Sequence, residues 1–268
     1  MANDLTGKPI AITGASSGIG LATARACAAA GMPVAVAARR VDRLDALVSE
    51  ITAAGGRAIA VAVDVRDKDQ CRALIDRTVD AFGSIYAVYA NAGYGYEKPV
   101  HETSEEELRD IFETNFWGSL NVIRPALERM IPQRTGHVLM CSSCLSKVGI
   151  PYMCSYSATK AAQDHFGRGM RHELAAYGIH VSTVHPIRTT TELFDEVARR
   201  SGGGRIYGRE ALGFVQSPDQ VASATVRCLR RPRGEVWTSL STRLLFAAAT
   251  AWPGLAEVLI RRYAKRTS

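Results

Sequence analysis

The chain has 268 residues, 47% of them hydrophobic and 22% charged, with a formal charge of +7. That composition excludes a disordered or fibrous chain and provides for a sizeable buried core without disulfide staples. The moderate basicity suits anionic ligands, but the arginines are scattered and no DNA- or RNA-reading motif accompanies them, so nucleic acid is not an expected partner.

Residues 8–13 (K-P-I-A-I-T) predict a short buried strand, followed by glycines and an alanine-rich helix that runs to Ala30 and is stopped by Gly31. The next strand is 33–38, then come an amphipathic helix over 41–51, a strand at 58–63, a helix over 67–82 and a strand at 85–90. A long helical region covers 104–131; 137–142 is strand-like, 155–176 helical and 179–185 again a strand. Apolar strands alternating with helices mean repeated βαβ units, hence a parallel sheet with helices on both faces. The expected fold class is α/β, one doubly wound parallel sheet, and 1–268 reads as a single domain because no linker, repeat or low-complexity segment divides it. Within it, 189–216 reads as a substrate lid and 236–268 as a C-terminal appendage.

Six cysteines match no disulfide framework. Cys141 and Cys144 form a C-x-x-C pair, but no second pair and no histidine at zinc spacing accompany it. They read as structural thiols, no metal is expected, and a reducing cytoplasm fits best. The N-terminal residues lack the features of a signal peptide, and the apolar tract 244–256, interrupted by Pro253 and Gly254, is too short to span a bilayer.

Ligands of such sheets bind at the carboxyl ends of the strands. There the first strand turns into the first helix through Thr13-Gly14-Ala15-Ser16-Ser17-Gly18-Ile19-Gly20. Gly14 permits a tight turn, Gly18 lets backbone approach a ligand, and Gly20 allows close packing of helix on sheet. The helix start offers free N–H groups and a positive dipole end, so a pyrophosphate is the natural occupant. Further on, S-Y-S-A-T-K sets Tyr156 and Lys160 four apart, on one face of a helix. Alone, that pair reads first as a part-buried tyrosine beside a solvated lysine.

The motifs together resemble the short-chain dehydrogenase/reductase family over about residues 8–192: T-G-A-S-S-G-I-G, N-A-G at 91–93, Asn115, Ser143, Y-S-A-T-K at 156–160 and a proline-led loop at 186–191. The resemblance implies a Rossmann-type fold and a hydride exchanged between a nicotinamide cofactor and a carbonyl or alcohol. It places Gly14, Ser16, Ser17, Gly18, Ile19 and Gly20 around the pyrophosphate. Asp64 and Val65 would lie beside the adenine, and Asn91, Ala92 and Gly93 would line the cleft floor. Tyr156 becomes the proton donor and acceptor, and the charge of Lys160, which also holds the nicotinamide ribose, together with that of an oxidised nicotinamide, favours its phenolate. Ser143 would bond the substrate oxygen and Asn115 would fix a water in a proton relay. Neighbouring Ser142 faces the opposite side of its strand.

The second strand ends in Ala38, where NAD-preferring relatives usually carry aspartate, and Arg39 and Arg40 follow. Guanidinium pairs with a 2′-phosphate where a carboxylate would repel it, so NADP(H) is expected over NAD(H). The family's proline-glycine appears here as Pro186-Ile187, ahead of Arg188; Thr189 and Thr191 are the residues expected near the carboxamide. Tyr94, Tyr96, Cys144, Leu145, Tyr152 and Phe194 are candidate pocket liners, which favours a lipophilic ketone or alcohol over a sugar. The apolar segment 240–263 with its basic ending is expected to pack on the lid or on a partner subunit, with peripheral membrane contact as the alternative. The resemblance also implies a homodimer or homotetramer. A catalytically weak NADP(H) sensor on the same fold is the alternative to an enzyme; the full Ser143, Tyr156 and Lys160 set speaks against it.

Overall fold

The computed structural model describes residues 2–192, 197, 201 and 215–267, with side chains in the last helix described through Val258 and at Ile260 and Arg261. Most of the expected lid, Phe194 included, lies outside the described residues. The apolar runs become β1 (Ile10–Thr13), β2 (Val34–Ala38), β3 (Ala58–Ala62), β4 (Ala87–Ala90), β5 (Gly136–Cys141) and β6 (Ile179–Val184). A short β7 (Glu235–Val236), which no apolar run announced, pairs with the end of β6. All pair in parallel, in the order β3-β2-β1-β4-β5-β6-β7. Ile10 of β1 stands beside Val34 on one side and Ala87 on the other, so the winding reverses between β1 and β4. That reversal opens a crevice at their carboxyl ends.

Alternation along the strands divides the core between two faces. Ile10, Ile12, Val34 and Val36 pack with Leu44 and Leu47, whereas Ala11, Ala35, Ala37 and Val61 pack with Leu74, Ile75 and Val122. Both faces are dry, which is why the strands read as unbroken apolar runs. The helices are α1 (Gly18–Ala29), α2 (Val41–Ala53), α3 (Lys68–Phe82), α4 (Glu105–Phe112), α5 (Gly118–Gln133), α6 (Cys154–Ala175) and α7 (Pro218–Arg230). Local chemistry sets several boundaries. Ser104 and Glu107 form a reciprocal cap at the start of α4, as do Ser217 and Gln220 at α7, where Pro218 takes the first turn.

Two expectations change. The long helix over 104–131 is interrupted by a π-helical turn, Glu113–Trp117, between α4 and α5. The appendage is two helices, α8 (Leu240–Ala251) and α9 (Pro253–Thr267), with proline opening the second. Among the described residues, no helix is long and apolar enough to cross a membrane.

Candidate active site

The crevice between β1 and β4 is walled by backbone. Gly14 has φ +67°, and a Cβ there would stand 2.9 Å from the Ala92 Cα. A Cβ on Gly18 (φ +54°) would meet Thr191 Cγ2 at 2.9 Å, and one on Gly20 would reach the Gly14 carbonyl at 2.3 Å. These are positions where only glycine fits. The Thr13 hydroxyl accepts from the Asn91 and Ala92 amides, each at 3.1 Å, and Asn91 Nδ2 donates to the Thr13 carbonyl at 3.0 Å. The N-A-G segment thus pins the glycine loop from the neighbouring strand.

The start of α1 carries no acidic residue in its first turn, and its N-cap Ser17 makes no side-chain capping bond. The reason lies across the cleft: Arg40 Nη2 donates to Ser17 Oγ at 2.8 Å and to Ser16 Oγ at 3.0 Å. The amides at Gly18, Ile19 and Gly20 therefore face an anion site with no carboxylate competing for it. Arg40 and Arg43 also pair with Glu192 at 2.9 and 2.5 Å. Ala38 ends β2 without a carboxylate, and Arg39 beyond it is exposed. These residues fit a dinucleotide.

At Asp64 and Val65, the residues expected beside an adenine, hydrogen bonds from Arg66 hold the Asp64 carboxyl below its usual range, at 2.7 Å for the shorter contact. Val65 is buried against Gly118, and its carbonyl accepts from Asn121 at 2.9 Å. Both residues sit at the rim of the crevice, already engaged by the protein.

Past β5 the chain alternates. Ser142 is buried and donates to the Lys160 carbonyl at 2.9 Å, whereas Ser143 accepts from the Leu145 amide at 3.1 Å and lies within hydrogen-bonding reach of the Tyr156 hydroxyl. Because the Leu145 amide uses an oxygen lone pair, the Ser143 proton remains free to be donated. Tyr156 and Lys160 share one face of α6, with Nζ 5.7 Å from the ring centroid. Gly95 lets backbone pass close to the ring: a Cβ there would lie 3.1 Å from Tyr156 Cδ2.

Burial pushes the Tyr156 phenol above its ordinary value, with the Ser143 hydrogen bond opposing, and burial pushes Lys160 below its own. Lys160 Nζ donates to the Cys141 carbonyl at 2.7 Å and to Gln163 Oε1 at 3.0 Å. Removal from water is the largest influence on the phenol, so the protein's own groups favour its protonated form.

Asn115 is held on several sides by the protein. It sits in the π-helical turn, fully buried, and its amide is satisfied by the protein: Oδ1 accepts from the Tyr94 amide at 2.9 Å, and Nδ2 donates to the Tyr94 carbonyl at 2.9 Å and to Thr159 Oγ1 at 3.0 Å. Its side chain clamps the segment after N-A-G. Its backbone carbonyl, displaced by the widened turn, accepts from Gln163 Nε2 at 2.6 Å. Gln163 therefore spans from Asn115 to Lys160. Its place at i+3 from Lys160 on α6 was the available signal for it.

A second buried cluster lies behind this one. Lys147 bridges Asp164 (2.6 Å) and Glu235 (2.9 Å), Arg168 joins Glu235 at 2.6 Å, and His185 approaches Asp164 at 3.4 Å. Asp164, His185 and Glu235 bring ligand atoms within 4.8 Å of one another, but the carboxylates are occupied by these cations. The cluster ties the loop after Ser143 to α6, to the residue before Pro186 and to β7. Pro186 is buried and its carbonyl accepts from the Cys144 amide at 3.0 Å; Thr189 bonds Ile187 and Gln216, and Thr191 lies against Gly18.

The expected pocket liners separate. Tyr94 and Tyr96 are buried with Ile111, packed against Phe112 and Tyr156, and the Tyr94 hydroxyl is turned to Asp110. Leu145 is half-buried, and Tyr152 stands exposed in left-handed backbone, φ +65°. All six cysteines are free, and burial pushes Cys144 up to about 12 and Cys141 upward, as inert thiols require.

Comparison with known proteins agrees with this geometry. The short chain dehydrogenase family profile matches residues 8–201. An uncharacterized oxidoreductase of Listeria innocua is 32% identical over 230 residues, 84% of this chain and 91% of that one. The ketoacyl reductase HetN of Nostoc is 30% identical over 263 residues, 96% of this chain and 89% of its own. A Burkholderia phymatum short chain dehydrogenase/reductase solved with NAD superposes with TM-score 0.84 at 25% identity, covering 95% and 96% of the two chains. An alcohol dehydrogenase from Thermococcus sibiricus, complexed with 5-hydroxy-NADP, gives 0.73 at 31% identity, covering 85% and 94%. With its glycine loop, parallel-sheet crevice and Y-x-x-x-K helix set in one edge, the chain belongs to the short-chain dehydrogenase/reductase family of oxidoreductases.

Proposed function

We propose that the protein is an NADP(H)-dependent reductase of carbonyl groups carried on lipophilic substrates. The observation that carries this reading is the meeting of Ser143, Tyr156 and Lys160 beneath the glycine-loop crevice. When bound, the nicotinamide supplies or takes up the hydride. Ser143 donates its free proton to the substrate oxygen and polarises the carbonyl. Tyr156, kept as a phenol by burial, gives its proton to that oxygen. Lys160 orients the nicotinamide ribose with the N–H that Cys141 and Gln163 leave unused; Gly93 makes room, since a Cβ there would lie 3.5 Å from Nζ. A protonated tyrosine serves reduction directly, whereas oxidation first requires its ionisation.

Preference for NADP(H) rests on Ala38 and on the guanidinium groups of Arg39, Arg40 and Arg43 gathered at the end of β2. The aromatic cluster of Tyr94, Tyr96 and Phe112 beside Tyr156 supports an apolar substrate, and the ketoacyl reductase among the relatives points the same way. A homodimer or homotetramer follows from the family, and the six free thiols suit a reducing cytoplasm.

The test is a panel of aromatic ketones, β-keto esters and aldehydes, followed by loss of reduced-cofactor absorbance. NADPH is expected to outperform NADH in kcat/KM, and Tyr156→Phe to lose about 10²–10⁴-fold in turnover while NADPH binding persists. Near-normal turnover in Tyr156→Phe would overturn the mechanism, and equal efficiency with both cofactors would overturn the preference.

A further inference from the structure

The appendage turns the wrong face outward for a helix that ends at water. In α8, Thr242 is 2% exposed, Ala249 is half-buried, and Phe246 stacks on Trp237 at 5.9 Å between ring centroids. These residues mark the side that meets the body of the protein. At about 100° per residue, the opposite side is formed by Leu240, Leu244, Ala247, Ala248 and Ala251. Leu240 is 68% and Leu244 60% exposed, and the three alanines are exposed as well. A surface helix ordinarily sends its apolar stripe inward and its polar face to water; α8 reverses this. The apolar surface continues through Trp252, at 65% exposure, to Leu255 and Val258 of α9. Most of the lid on which this segment was expected to pack, with a partner subunit as the other expected support, lies outside the described residues.

Charge identifies the occupant. After β7 the chain carries Arg243, Arg261, Arg262, Lys265 and Arg266 against one acidic side chain, Glu257, which already faces Arg261 at 3.6 Å. A second copy laid on this face would bring another cationic segment to it. An anionic surface matches it, and no described helix is long and apolar enough to cross that surface. Exposed apolar residues joined to a basic end are the two signals that stable interfacial binding needs.

We propose that α8 and α9 form a peripheral docking surface for an anionic phospholipid bilayer. Leu240, Leu244, Trp252 and Leu255 enter the acyl boundary, and the basic terminus lies at the headgroups. The proposal is independent of the reaction and of cofactor choice.

Co-sedimentation of the full chain with vesicles of phosphatidylglycerol mixed with phosphatidylcholine tests it. Binding is expected to the mixed vesicles, to weaken about tenfold or more on pure phosphatidylcholine, and to fall with added salt. Leu240→Glu with Leu244→Glu should abolish it, circular dichroism showing the fold retained. Should that variant not fold, the wild-type chain still decides: fluorescence of Trp252, taken as the difference from Trp252→Phe, should shift to the blue on the mixed vesicles. Absence of binding, binding unchanged in the double variant, or an unshifted Trp252 would each overturn the proposal. So would wild-type chain that ignores lipid but sediments as an oligomer dissociated by the same two glutamates, an outcome that assigns the face to a second copy.

Discussion

Lys147 and Lys160 are both largely withdrawn from water, and both belong to the corner where β5 hands over to α6. Lys147 is gripped by two carboxylates, Asp164 and Glu235, with Arg168 and His185 closing the set. Lys160 meets a carbonyl and an amide oxygen, neutral acceptors both. One charge is cancelled locally, and the other is left for something that enters the crevice. A buried cation with carboxylate partners is architecture; one held only by dipoles is a functional candidate, because its field is not spent within the protein.

The largest effect that would probe this contrast is on stability. Lys147→Met leaves Asp164 and Glu235 with the half-exposed Arg168 as their remaining shared cation and should cost about 3 kcal/mol in denaturant unfolding at neutral pH. Burial alone would raise the Asp164 carboxyl, but hydrogen bonds from His185 and Lys147 hold it well below its ordinary range. A depressed carboxyl contributes stability that is present above its unfolded pKa of ~3.9 and lost as pH falls below that value. Acid unfolding of Lys147→Met should therefore begin at higher pH than in the wild type. Unfolding curves that coincide would remove Lys147 from the architecture.

Next in size is Gln163→Leu, which takes one acceptor from the Lys160 ammonium. Burial already lowers that group, and losing the acceptor lowers it further. The alkaline limb of kcat/KM should move down by about one pH unit, alongside a stability loss of about 1–3 kcal/mol from the bonds to Asn115 and Ser119. A purely structural glutamine would alter the melting temperature and leave the limb where it was.

The smallest effect belongs to an exposed pair. Glu192→Gln frees Arg40 and Arg43, and fluorescence titration should show NADPH binding up to about fivefold tighter with NADH unaffected, since exposed ion pairs contribute ~1 kcal/mol at most. Equal gains for both cofactors would mean that Glu192 does not sit across from the 2′-phosphate.

Six of the seven strands could be read in advance because a strand buried on both faces is a run of Val, Ile and Ala between turn residues. The glycine loop was legible because three of its positions tolerate no Cβ. β7 was not, since two residues form no run. The Lys147 network was invisible for a different reason: its members come from four segments, with Lys147 and Glu235 separated by 88 positions, and each alone resembles a surface charge. Burial, the largest influence on the Tyr156 phenol, was not legible either, because neighbours in sequence do not report it.

The π-helical turn at Glu113–Trp117 gives the α4–α5 rod one residue more than a regular ladder holds. Excising a residue there would let the helix close in ordinary fashion, with the flanking turns keeping their bearing, because the wide turn is what absorbs the extra position. The Asn115 carbonyl would then retire into the ladder, away from Gln163. Length in this stretch is thus a fitted dimension of the molecule, and a homologous segment one residue shorter could not be spliced in without loosening the wall against which α6 stands.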